Sequence, residues 1–442
     1  MALLTKAPKG TQDILPAASG NWQLVEDVLR NEAQLTGFSE IRTPVFEHAE
    51  LFQRSVGETT DVVQKEMYTF QDKGGRSVTL RPEGTAGAVR AMLEHALYNE
   101  GFPVKLYYFT SCYRYENTQK GRLREFHQFG AEVFGTASPV ADAEIITMVD
   151  SVFERLGLRN ISLEINSIGC PECRAKYHEA LKAYFHEQEE HLCGTCKDRL
   201  ERNPMRILDC KVPECGAIAA KAPLMKDYLC DECAEHFEAV QKHLTAAGVE
   251  FTVNPMIVRG LDYYTRTVFE FVSNDLGAQS TVCGGGRYDG LVEEMGGAST
   301  PALGYAMGLE RLLMIMEAQG IEFPPEDPCL IYLASLGKAA EEKAFALTTA
   351  LWECGIFAVS DICGRSLKAQ MKYANKIGAV YTVVLGDDEI AAGSAKLKRM
   401  ETGDVTDIPL DEEGFIEALV TRESMDNDDG GVFSFAEECE TE

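Results

Sequence analysis

Eight of the 14 cysteines in this 442-residue chain fall within 64 consecutive positions, and this clustering limits what the middle of the chain can fold into. The four pairs are CPEC (Cys170 and Cys173), CGTC (Cys193 and Cys196), CKVPEC (Cys210 and Cys215) and CDEC (Cys230 and Cys233). The spacer between the first two pairs is 19 residues, within the range of paired C-x-x-C zinc sites, and the spacer between the last two is 14. Eight thiolates are enough ligands for two tetrahedral zinc ions.

Four sulfur ligands leave no open position on a zinc ion, so the pattern predicts structural rather than catalytic metal. The alternative is a set of reduced thiols that are packed or idle, and the spacing leaves open which pairs share an ion. The N-terminus lacks the continuous apolar stretch of a signal peptide. The longest apolar runs, such as residues 380–385, are far shorter than the ~20 residues of a membrane-spanning helix. We therefore expect a cytoplasmic protein with no membrane partner.

The net charge of −28 is concentrated at the C-terminus, because residues 401–442 carry 15 acidic residues and one basic residue. From about residue 421 the chain has too few apolar side chains to offset the entropy of ordering. We therefore expect an acidic, disordered tail at 421–442, and the sequence leaves its role open. The remaining 400 residues are less acidic and leave room for a basic patch that binds a polyanion.

The chain length predicts about three domains. Apolar spacing predicts a helix over residues 21–35, with Ser19 as its cap and Gly37 as its stop. Between residues 170 and 244 the composition shifts to Cys, Glu, Lys and His with helical spacing, which indicates an inserted small domain. Three prolines at 321–328 indicate a linker, and beyond them β and α segments alternate, which is typical of a small sheet covered by helices.

Two aromatic and β-branched runs, residues 104–116 and 125–135, predict a long hairpin with a polar, basic loop. Arg114 and Arg122 are two of five basic residues between positions 105 and 125, where only two residues are acidic. Guanidinium groups match phosphate oxygens bidentately, and an aromatic ring such as Phe126 offers a face for a base. The hairpin therefore predicts a nucleotide site, and the alternative is an exposed hairpin whose charges are only solvated.

Other segments have a plain structural interpretation beside the functional one. RPEGT (81–85) can be a helix cap, and the glycines of CGGGRYDGL (283–291) can simply allow close backbone approach. Arg311 is the one basic residue of GLERLLMIME, and such an arginine usually pairs with a carboxylate. If RGLDYY (259–264) is part of a strand, its adjacent tyrosines face opposite sides, so that at most one lies in the core.

Taken in order, these segments resemble the class II aminoacyl-tRNA synthetases, and four of them resemble the histidyl-tRNA synthetase family of the bacterial type over about residues 5–420. RTP with Pro44, the RYE-loop-REF hairpin and the Gly-rich strand with its GLER helix are similar to motifs one, two and three. The four histidyl-type segments are RPEGT, GRLREFHQFGAEVFG, VRGLDYYTRTVFE and CGGGRYDGL.

The resemblance implies the fold, an α+β catalytic domain with an antiparallel sheet and flanking helices. It implies a homodimer with motif one at the interface, and the Cys-rich segment becomes a mainly helical insertion. The implied domains are the catalytic core at 1–168 and 245–322, the insertion at 169–244 and a C-terminal α/β anticodon-binding domain at 328–420.

The resemblance also implies a histidine–tRNA ligase. L-Histidine and ATP, with Mg²⁺, would give histidyl-adenylate, and the histidyl group would pass to the 3′ terminal adenosine of the histidine tRNA. The implied histidine-binding residues are Glu83, Thr85, Arg114, Gln128, Glu132, Arg259, Tyr263, Tyr264 and Tyr288. The implied ATP-binding residues are Arg114, Glu116, Arg122, Phe126 and Arg311, and the implied catalytic residues are Arg259 and Arg114.

Two regions are expected to contact tRNA. In GRSLKAQMKYANK the basic residues follow steps of three, four and four, which places them on one helical face toward RNA phosphates, with a merely solvated face as the alternative. Asn117 and Thr118 stand where the family often has Arg-Pro, so the reading of the tRNA 5′ end is open. The candidate tRNA-binding residues are Gln119 and Lys120 in the hairpin loop and Arg365, Lys368, Lys372 and Lys376 in the C-terminal domain.

Another protein, which is built on the same catalytic core, offers an alternative function. The synthetase-like regulatory subunit of ATP phosphoribosyltransferase is non-catalytic, and it lacks both the anticodon module and the RGLDYY segment. Because this chain contains both, the sequence favours the ligase.

Overall fold

The computed structural model describes residues 4–56, 60, 62–261, 263–275, 281–324 and 328–426. The chain divides into two compact units, Met1–Phe323 and Pro324–Glu442. Within the described ranges, no helix is both long enough and apolar enough to cross a membrane.

The first unit contains short and long strands. They are β1 (Ser39–Glu40), β2 (Phe46–His48), β3 (Thr69–Gln71), β4 (Ser77–Leu80), β5 (Val104–Tyr113), β6 (Glu125–Phe134), β7 (Ile161–Ser167), β8 (Thr252–Val253), β9 (Thr265–Ser273), β10 (Thr281–Arg287) and β11 (Ala302–Gly308). Its helices are α1 (Pro16–Leu35), α2 (Ala49–Val56), α3 (Thr85–Glu94), α4 (Pro139–Arg155), α5 (Pro171–His186), α6 (Gly194–Arg202), α7 (Pro213–Ala219), α8 (Asp231–Ala246), α9 (Leu291–Glu294) and α10 (Leu309–Ala318). Short 3₁₀ turns lie at Leu97–Glu100, Glu189–His191, Pro204–Ile207 and Met225–Tyr228, and a π-helical turn lies at Val62–Glu66.

In the described part of the first unit, eight strands form one sheet in the order β1-β5-β6-β11-β10-β9-β7-β8. All its pairings are antiparallel except the two at the edges, β1 with β5 and β7 with β8. The predicted hairpin is confirmed, because β5 pairs with β6 from Val104 opposite Phe134 to Tyr113 opposite Glu125. Helices α1, α4 and α10 cover one face, and apolar side chains such as Leu29, Ile146 and Leu312 form the core there.

Helix α1 begins earlier than the spacing predicted. It starts at Pro16, with Leu15 as its N-cap, rather than near position 21 with Ser19 as the cap. Proline at the first helical position loses no hydrogen bond and is already held at a helical φ, so the helix extends back to it. The predicted stop is confirmed, because Gly37 follows the C-cap with a φ of 81°.

The Cys-rich insertion is helical, as predicted, and consists of α5 to α8 joined by short turns. It packs on the catalytic sheet: Val240 and Leu244 of α8 join the core of the first unit, and Tyr177 and Leu181 of α5 share a second apolar cluster with Tyr263. The insertion is therefore in direct contact with the residues around the cavity described below.

The second unit is an α/β layer structure. Its elements are β12 (Ile331–Ser335), α11 (Lys338–Glu353), β13 (Ala358–Ser360), α12 (Leu367–Lys376), β14 (Tyr381–Leu385), α13 (Asp387–Ala392), β15 (Ser394–Arg399), β16 (Val405–Pro409) and α14 (Glu412–Asp426). Its five described strands have the order β13-β12-β14-β15-β16, parallel among the first three and antiparallel thereafter. The alternation expected for this region is confirmed, and β15 and β16 extend it. Helix α14 continues to Asp426, so the prediction of disorder is wrong for residues 421–426, and its remaining part, 427–442, lies outside the described residues.

Candidate functional site

A cavity of about 1240 Å³ lies in the first unit, and most of the predicted site residues meet in it. The predicted residues that line it are Glu83, Thr85, Arg114, Glu116, Gln119, Lys120, Arg122, Phe126, Gln128, Arg259, Tyr263, Tyr264, Tyr288 and Arg311. They come from the β5–β6 hairpin, the start of α3, the segment before β9, the residue after β10 and the start of α10. The antiparallel sheet brings these segments together although Glu83 and Arg311 are 228 positions apart.

Glu132 lies beneath the cavity and is fully buried. Its carboxylate accepts hydrogen bonds from Thr85 Oγ1 at 2.8 Å, from Tyr108 OH at 2.8 Å and from Tyr288 OH. Burial raises the pKa of Glu132 to about 8, although the three hydroxyl donors oppose the shift. Gly304 faces it across the β6–β11 pairing, and a Cβ at that position would overlap the carboxylate. Hence this part of the sheet requires glycine.

A second buried carboxylate, Glu83, lies at the start of α3. Its oxygens accept from the backbone N–H of Thr85 at 2.6 Å and of Ala86 at 2.9 Å. Burial raises its pKa, and these two hydrogen bonds oppose the shift. The Glu83 carboxylate therefore caps the first N–H groups of α3, as the interpretation of RPEGT as a helix cap predicts. The same side chain also lines the cavity.

Arg259 also lines the cavity and forms an ion pair with Glu270 of β9. Its guanidinium also lies 5.5 Å from the ring centroid of Tyr264. Burial disfavours the charged form of Arg259, but the Glu270 carboxylate outweighs burial and its pKa is raised. The guanidinium lies against the backbone at Gly284, where a Cβ would overlap it. The glycine-rich strand β10 therefore makes room for a buried arginine.

The prediction for the tyrosine pair is wrong. Strand β9 begins only at Thr265, so Tyr263 and Tyr264 lie in the preceding loop and do not alternate across a sheet. Both are buried, with 8% and 6% of their surface exposed, and their ring centroids are 4.7 Å apart. Tyr263 also packs edge-on against Tyr288 at 5.5 Å. The loop thus presents both rings to the cavity.

Basic side chains line the hairpin end of the cavity. Arg114 donates from Nε to the Pro82 carbonyl at 2.9 Å, and its guanidinium lies 5.2 Å from the ring of Phe126. Arg122 lies 3.3 Å from the Glu116 carboxylate. Arg311 of α10 donates to the carbonyl of Thr281 at 2.9 Å and to that of Gly121 at 3.2 Å.

The pKa of Arg311 is lowered, first by burial and then by the nearby positive charge of Arg122. Two guanidinium groups held this close to each other suit an anion that carries several negative charges.

Sequence reasoning missed several residues that organise the site. Tyr108 binds Glu132, Glu270 pairs with Arg259, and Arg287 forms a fully buried ion pair with Asp142. Each sits in a strand or helix whose apolar pattern gives no sign of a polar partner more than ten positions away. The pairing of β5 with β6 brings Tyr108 to Glu132, the loop before β9 brings Arg259 to Glu270, and the packing of α4 on the sheet brings Asp142 to Arg287.

The cysteines form two tetrads, which answers the question that spacing left open. Cys170, Cys173, Cys230 and Cys233 form the first tetrad, here called the outer-pair cluster, since it joins the first and last pairs. Cys193, Cys196, Cys210 and Cys215 form the second, here called the inner-pair cluster. In each tetrad the four sulfur atoms lie within 4.8 Å of one another.

In the second unit, the predicted basic stripe is shorter than expected. Lys368, Lys372 and Lys376 are exposed at successive four-residue steps of α12. Arg365 precedes the helix, and its guanidinium pairs with Asp361 at 2.9 Å and lies over the ring of Tyr373 at 4.4 Å. Ser366 has an extended backbone (ψ 150°), which separates Arg365 from the helical face.

An antiparallel sheet with an arginine-lined cavity between its hairpin and its glycine-rich strand defines a class II aminoacyl-tRNA synthetase core. The family model described as histidyl-tRNA synthetase matches residues 10–312, and the model described as an anticodon binding domain matches residues 330–420. The chain therefore belongs to the histidyl-tRNA synthetase family.

Relatives support this assignment over nearly the full length. The chain is 56% identical to a histidine–tRNA ligase of Acetivibrio thermocellus, over 92% of this chain and 98% of the relative. It is 54% identical to one of Caldanaerobacter subterraneus, over 93% and 98%. Among solved structures it is similar to apo histidyl-tRNA synthetase of S. aureus, with 38% identity, a TM-score of 0.79, and coverage of 95% and 99%.

The raised pKa of Glu132 predicts a pH-dependent effect on stability. The folded protein holds this proton more tightly than the unfolded chain, so stability falls as pH rises from about 4.5 toward 8. Glu132→Gln removes that penalty while keeping the size and a carbonyl acceptor. We expect the variant to be about 1 to 2 kcal/mol more stable than the wild type at pH 8.5 and equal to it near pH 5.

Thermal unfolding of both proteins between pH 5 and 8.5 measures this difference, and other titrating groups cancel between them. The matched control is Gln128→Asn, which changes no charge, whereas Gln128→Glu would add one. The difference in stability between Gln128→Asn and the wild type should be the same at every pH in this range. A Glu132→Gln variant that is less stable than the wild type at pH 8.5 would contradict the expectation.

Proposed function

We propose that this chain is a histidine–tRNA ligase, which activates L-histidine with ATP to histidyl-adenylate and transfers it to the 3′ terminal adenosine of the histidine tRNA. The observation that carries the proposal is a single cavity lined by the buried carboxylate of Glu83, with buried Glu132 directly beneath it, and by four arginines, Arg114, Arg122, Arg259 and Arg311. The carboxylates suit the amino group and the imidazole of histidine, and the arginines suit the phosphates of ATP. Family membership supports the same conclusion.

At the histidine end, Glu83, Thr85 and Gln128 would hold the α-ammonium group. A buried carboxylate that already accepts two backbone N–H bonds keeps its position when a third, charged donor arrives. Glu132 and Tyr264 would read the imidazole, with Tyr263 and Tyr288 as the surrounding walls. Because Glu132 bonds to Tyr288 and Thr85, substrate binding and the proton on Glu132 are coupled through these hydroxyls.

At the nucleotide end, Arg114 would bridge the histidine carboxylate and the α-phosphate. Glu116 and Phe126 would hold the adenine, and Arg122 and Arg311 would clamp the outer phosphates. Mg²⁺ would enter with ATP, because the phosphate oxygens are its natural ligands. Arg259 would stabilise the charge that develops at the α-phosphate.

The reaction needs no strong base, since the attacking histidine carboxylate is already ionised. It needs in-line positioning and stabilisation of negative charge, which fixed guanidinium groups supply. Arginine suits this role because it is always charged and presents a planar fork of donors. A site built around imidazole hydrogen bonds should also reject analogues that lack them by a factor of about 10⁴ or more, so that no editing step is required.

The experiment that tests the proposal is ATP–pyrophosphate exchange with each of the twenty amino acids and Mg²⁺. We expect exchange with histidine and with no other amino acid. The absence of exchange with every amino acid, in folded protein, would favour the non-catalytic regulatory subunit of ATP phosphoribosyltransferase instead. Relatives at 54–56% identity are histidine–tRNA ligases, which argues against that alternative.

We propose that the second unit, residues 328–420, binds the anticodon, with Lys368, Lys372 and Lys376 near RNA phosphates. Arg365 contributes less than predicted, because Asp361 neutralises it. Gln119 and Lys120, both exposed in the hairpin loop, would meet the acceptor end of the tRNA. Replacing the three lysines with alanine should lower the slope of log affinity against log salt by about two to three, and an unchanged slope would rule this face out.

A homodimer is proposed from the segment around Pro44. Val45, Phe46 and Phe70 are exposed in this region, and the strands that carry Phe46 and Phe70 lie on either side of β4 in one small sheet. Such a patch marks an interface. Sedimentation equilibrium should give twice the chain mass for the wild type and a lower mass for Phe46→Glu, and a monomeric wild type would refute the dimer.

A cytoplasmic location is proposed because the cysteine tetrads require reduced thiols.

We propose one structural zinc ion in each cysteine tetrad. The residues fit a structural zinc ion, because the four sulfur atoms of a tetrad lie within 4.8 Å of one another. Together they would fill all four positions of a tetrahedral ion and leave none open. Protein purified without chelator should contain about two zinc ions per chain, and Cys196→Ser should contain about one, as measured by elemental analysis. Cys112→Ser, a buried cysteine outside both tetrads, is the control and should retain two. Wild-type protein without zinc would overturn the assignment.

A further inference from the structure

The segment RGLDYY (residues 259–264), here called the RGLDYY loop, is held at both ends by side chains that neighbour the cysteine tetrads. We infer that the two tetrads, each closed by a metal, act through Arg206 and Arg174 to fix this loop in its histidine-binding position. The inference rests on the proposed function, which places histidine and the α-phosphate against this loop. Arg206 and Arg174 are positioning residues, which act through the backbone of the loop. Arg206 also lines the cavity, but its Nη1 donates to the Arg259 carbonyl.

The inner-pair cluster reaches the start of the loop. Arg206 Nη1 donates to the carbonyl of Arg259 at 2.8 Å. Arg206 lies in the short turn Pro204–Ile207, whose last carbonyl accepts the N–H of Cys210 at 3.1 Å. Arg199, on the same helix as Cys196, donates from Nη1 to the carbonyl of Arg206 at 3.2 Å. The tetrad therefore bridges the helix and the turn that together orient Arg206.

The outer-pair cluster reaches the end of the loop. Arg174 directly follows Cys173, and its Nη1 donates to the carbonyl of Tyr264 at 2.9 Å. Glu232, between Cys230 and Cys233, forms an ion pair with Arg266. The N–H of Arg266 also donates at 2.9 Å to the carbonyl of Gly169, which directly precedes Cys170.

The backbone at Arg266 shows that this end of the loop is held under constraint. Its φ is +48°, a left-handed value that a non-glycine residue adopts only where surrounding contacts impose it. Those contacts come from both sides of the outer-pair cluster: Glu232 binds the side chain, and Gly169 and Ile168 bind the backbone, the latter by donating to the Arg266 carbonyl at 2.8 Å.

The physical consequence is that the metal sites act on substrate affinity. A segment without regular structure has a large conformational entropy to lose. The bonds from Arg206 and Arg174 restrict the backbone at its two ends, in addition to the burial of the tyrosines and the Arg259–Glu270 ion pair. The insertion consists of helices α5 to α8 joined by short turns, and a metal in each tetrad would cross-link segments of it that are distant in the chain. If a tetrad loses its metal, the arginine beside it is no longer held in a single position. The tyrosines and Arg259 then lose their fixed arrangement.

The test uses four variants of the full chain. Arg206→Ala removes the donor at the loop, and Arg206→Lys keeps a charged donor. The double variant Cys193→Ser with Cys196→Ser opens the inner-pair cluster. Arg202→Ala, an exposed arginine on the same helix α6, is the matched control. Each protein is examined for zinc content, for amide hydrogen exchange of residues 256–267, and for the KM of histidine and of ATP in pyrophosphate exchange.

We expect Arg206→Ala to exchange the loop amides faster and to raise the KM of histidine about tenfold, the amount that one charge-assisted hydrogen bond supplies. The KM of ATP should change less than about twofold, because the hairpin and α10 are untouched. Arg206→Lys should recover part of the loss, and Arg202→Ala should match the wild type. The cysteine variant should contain one metal and show the same loop exchange as Arg206→Ala.

The inference is overturned if Arg206→Ala leaves both the hydrogen exchange of the loop amides and the KM of histidine unchanged. This holds even if the cysteine variant fails to fold. Wild-type protein without metal would overturn it as well. If no amino acid supports pyrophosphate exchange, the proposed function fails instead, and the amide-exchange comparison of Arg206→Ala with Arg202→Ala still decides whether the loop is held in this way.

Discussion

Arg259→Ala should reduce histidine-dependent pyrophosphate exchange by a factor of about 10² to 10³, with the KM of histidine changed far less. The guanidinium is fixed at the cavity by Glu270 and by the ring of Tyr264, so it needs no rearrangement when charge develops at the α-phosphate. Removal of one such preorganised donor typically costs about 3 to 4 kcal/mol of transition-state stabilisation. Steady-state exchange, with kcat and KM determined separately, measures the effect.

A control is needed because the substitution also strands a carboxylate. Glu270 is largely buried, and without Arg259 it would lack its charged partner. The double variant Arg259→Ala with Glu270→Gln removes that charge. It should unfold closer to the wild-type temperature than the single variant does, and it should remain as inactive. Recovery of exchange in the double variant would show that the single variant failed through misfolding rather than through loss of the arginine.

Arg287→Leu should destabilise the first unit by about 3 to 5 kcal/mol, the loss typical when one partner of a buried ion pair is removed. Arg287 is fully buried and donates to the Asp142 carboxylate at 2.7 to 3.0 Å, and also to the carbonyls of Thr136 and Ser138 at 2.9 Å. His236 is the other group near that carboxylate, at 3.3 Å. Without Arg287, the Asp142 charge and both carbonyls lose a buried partner.

Thermal unfolding followed by circular dichroism measures this loss. The matched control is Lys242→Leu, which breaks the exposed Lys242–Glu238 pair on α8 and should change stability by about 1 kcal/mol or less. Adding Asp142→Leu to Arg287→Leu should restore part of the stability, because the buried Asp142 charge is then removed together with its partner. Asp289, which Arg287 also contacts at 3.3 Å, is partly exposed and stays in both variants. If Arg287→Leu and Lys242→Leu lower the stability by the same amount, burial of the Arg287–Asp142 ion pair contributes nothing to the stability.

Local chemistry in the sequence predicted a large part of the site. The composition of the basic, aromatic hairpin predicts a nucleotide site, which stays a prediction, and the structure places Arg114, Arg122 and Phe126 in one cavity. Helix starts were less predictable. Apolar spacing placed the beginning of α1 near residue 21, whereas Pro16 starts it, because spacing records the buried face and not the exposed first turn.

Residues whose role depends on an irregular segment were the least predictable. The alternation rule for strands assigned Tyr263 and Tyr264 to opposite faces, and it failed because β9 begins one residue later. A loop has no period, so neither burial nor direction follows from neighbouring residues. The same limit applies to Arg365, which appeared to continue the lysine stripe and instead precedes the helix.

The sequence by itself determined which chemical groups are present and how they repeat over short distances: four cysteine pairs, a basic hairpin, an acidic end and a family signature in RGLDYY. Only the tertiary structure decided how the pairs combine into tetrads, and that Glu132 is buried with its pKa near 8. It also decided that Arg259 faces Glu270. The physical reason is that spacing constrains residues a few positions apart, whereas burial and charge partners depend on sheet register and helix packing between distant parts of the chain.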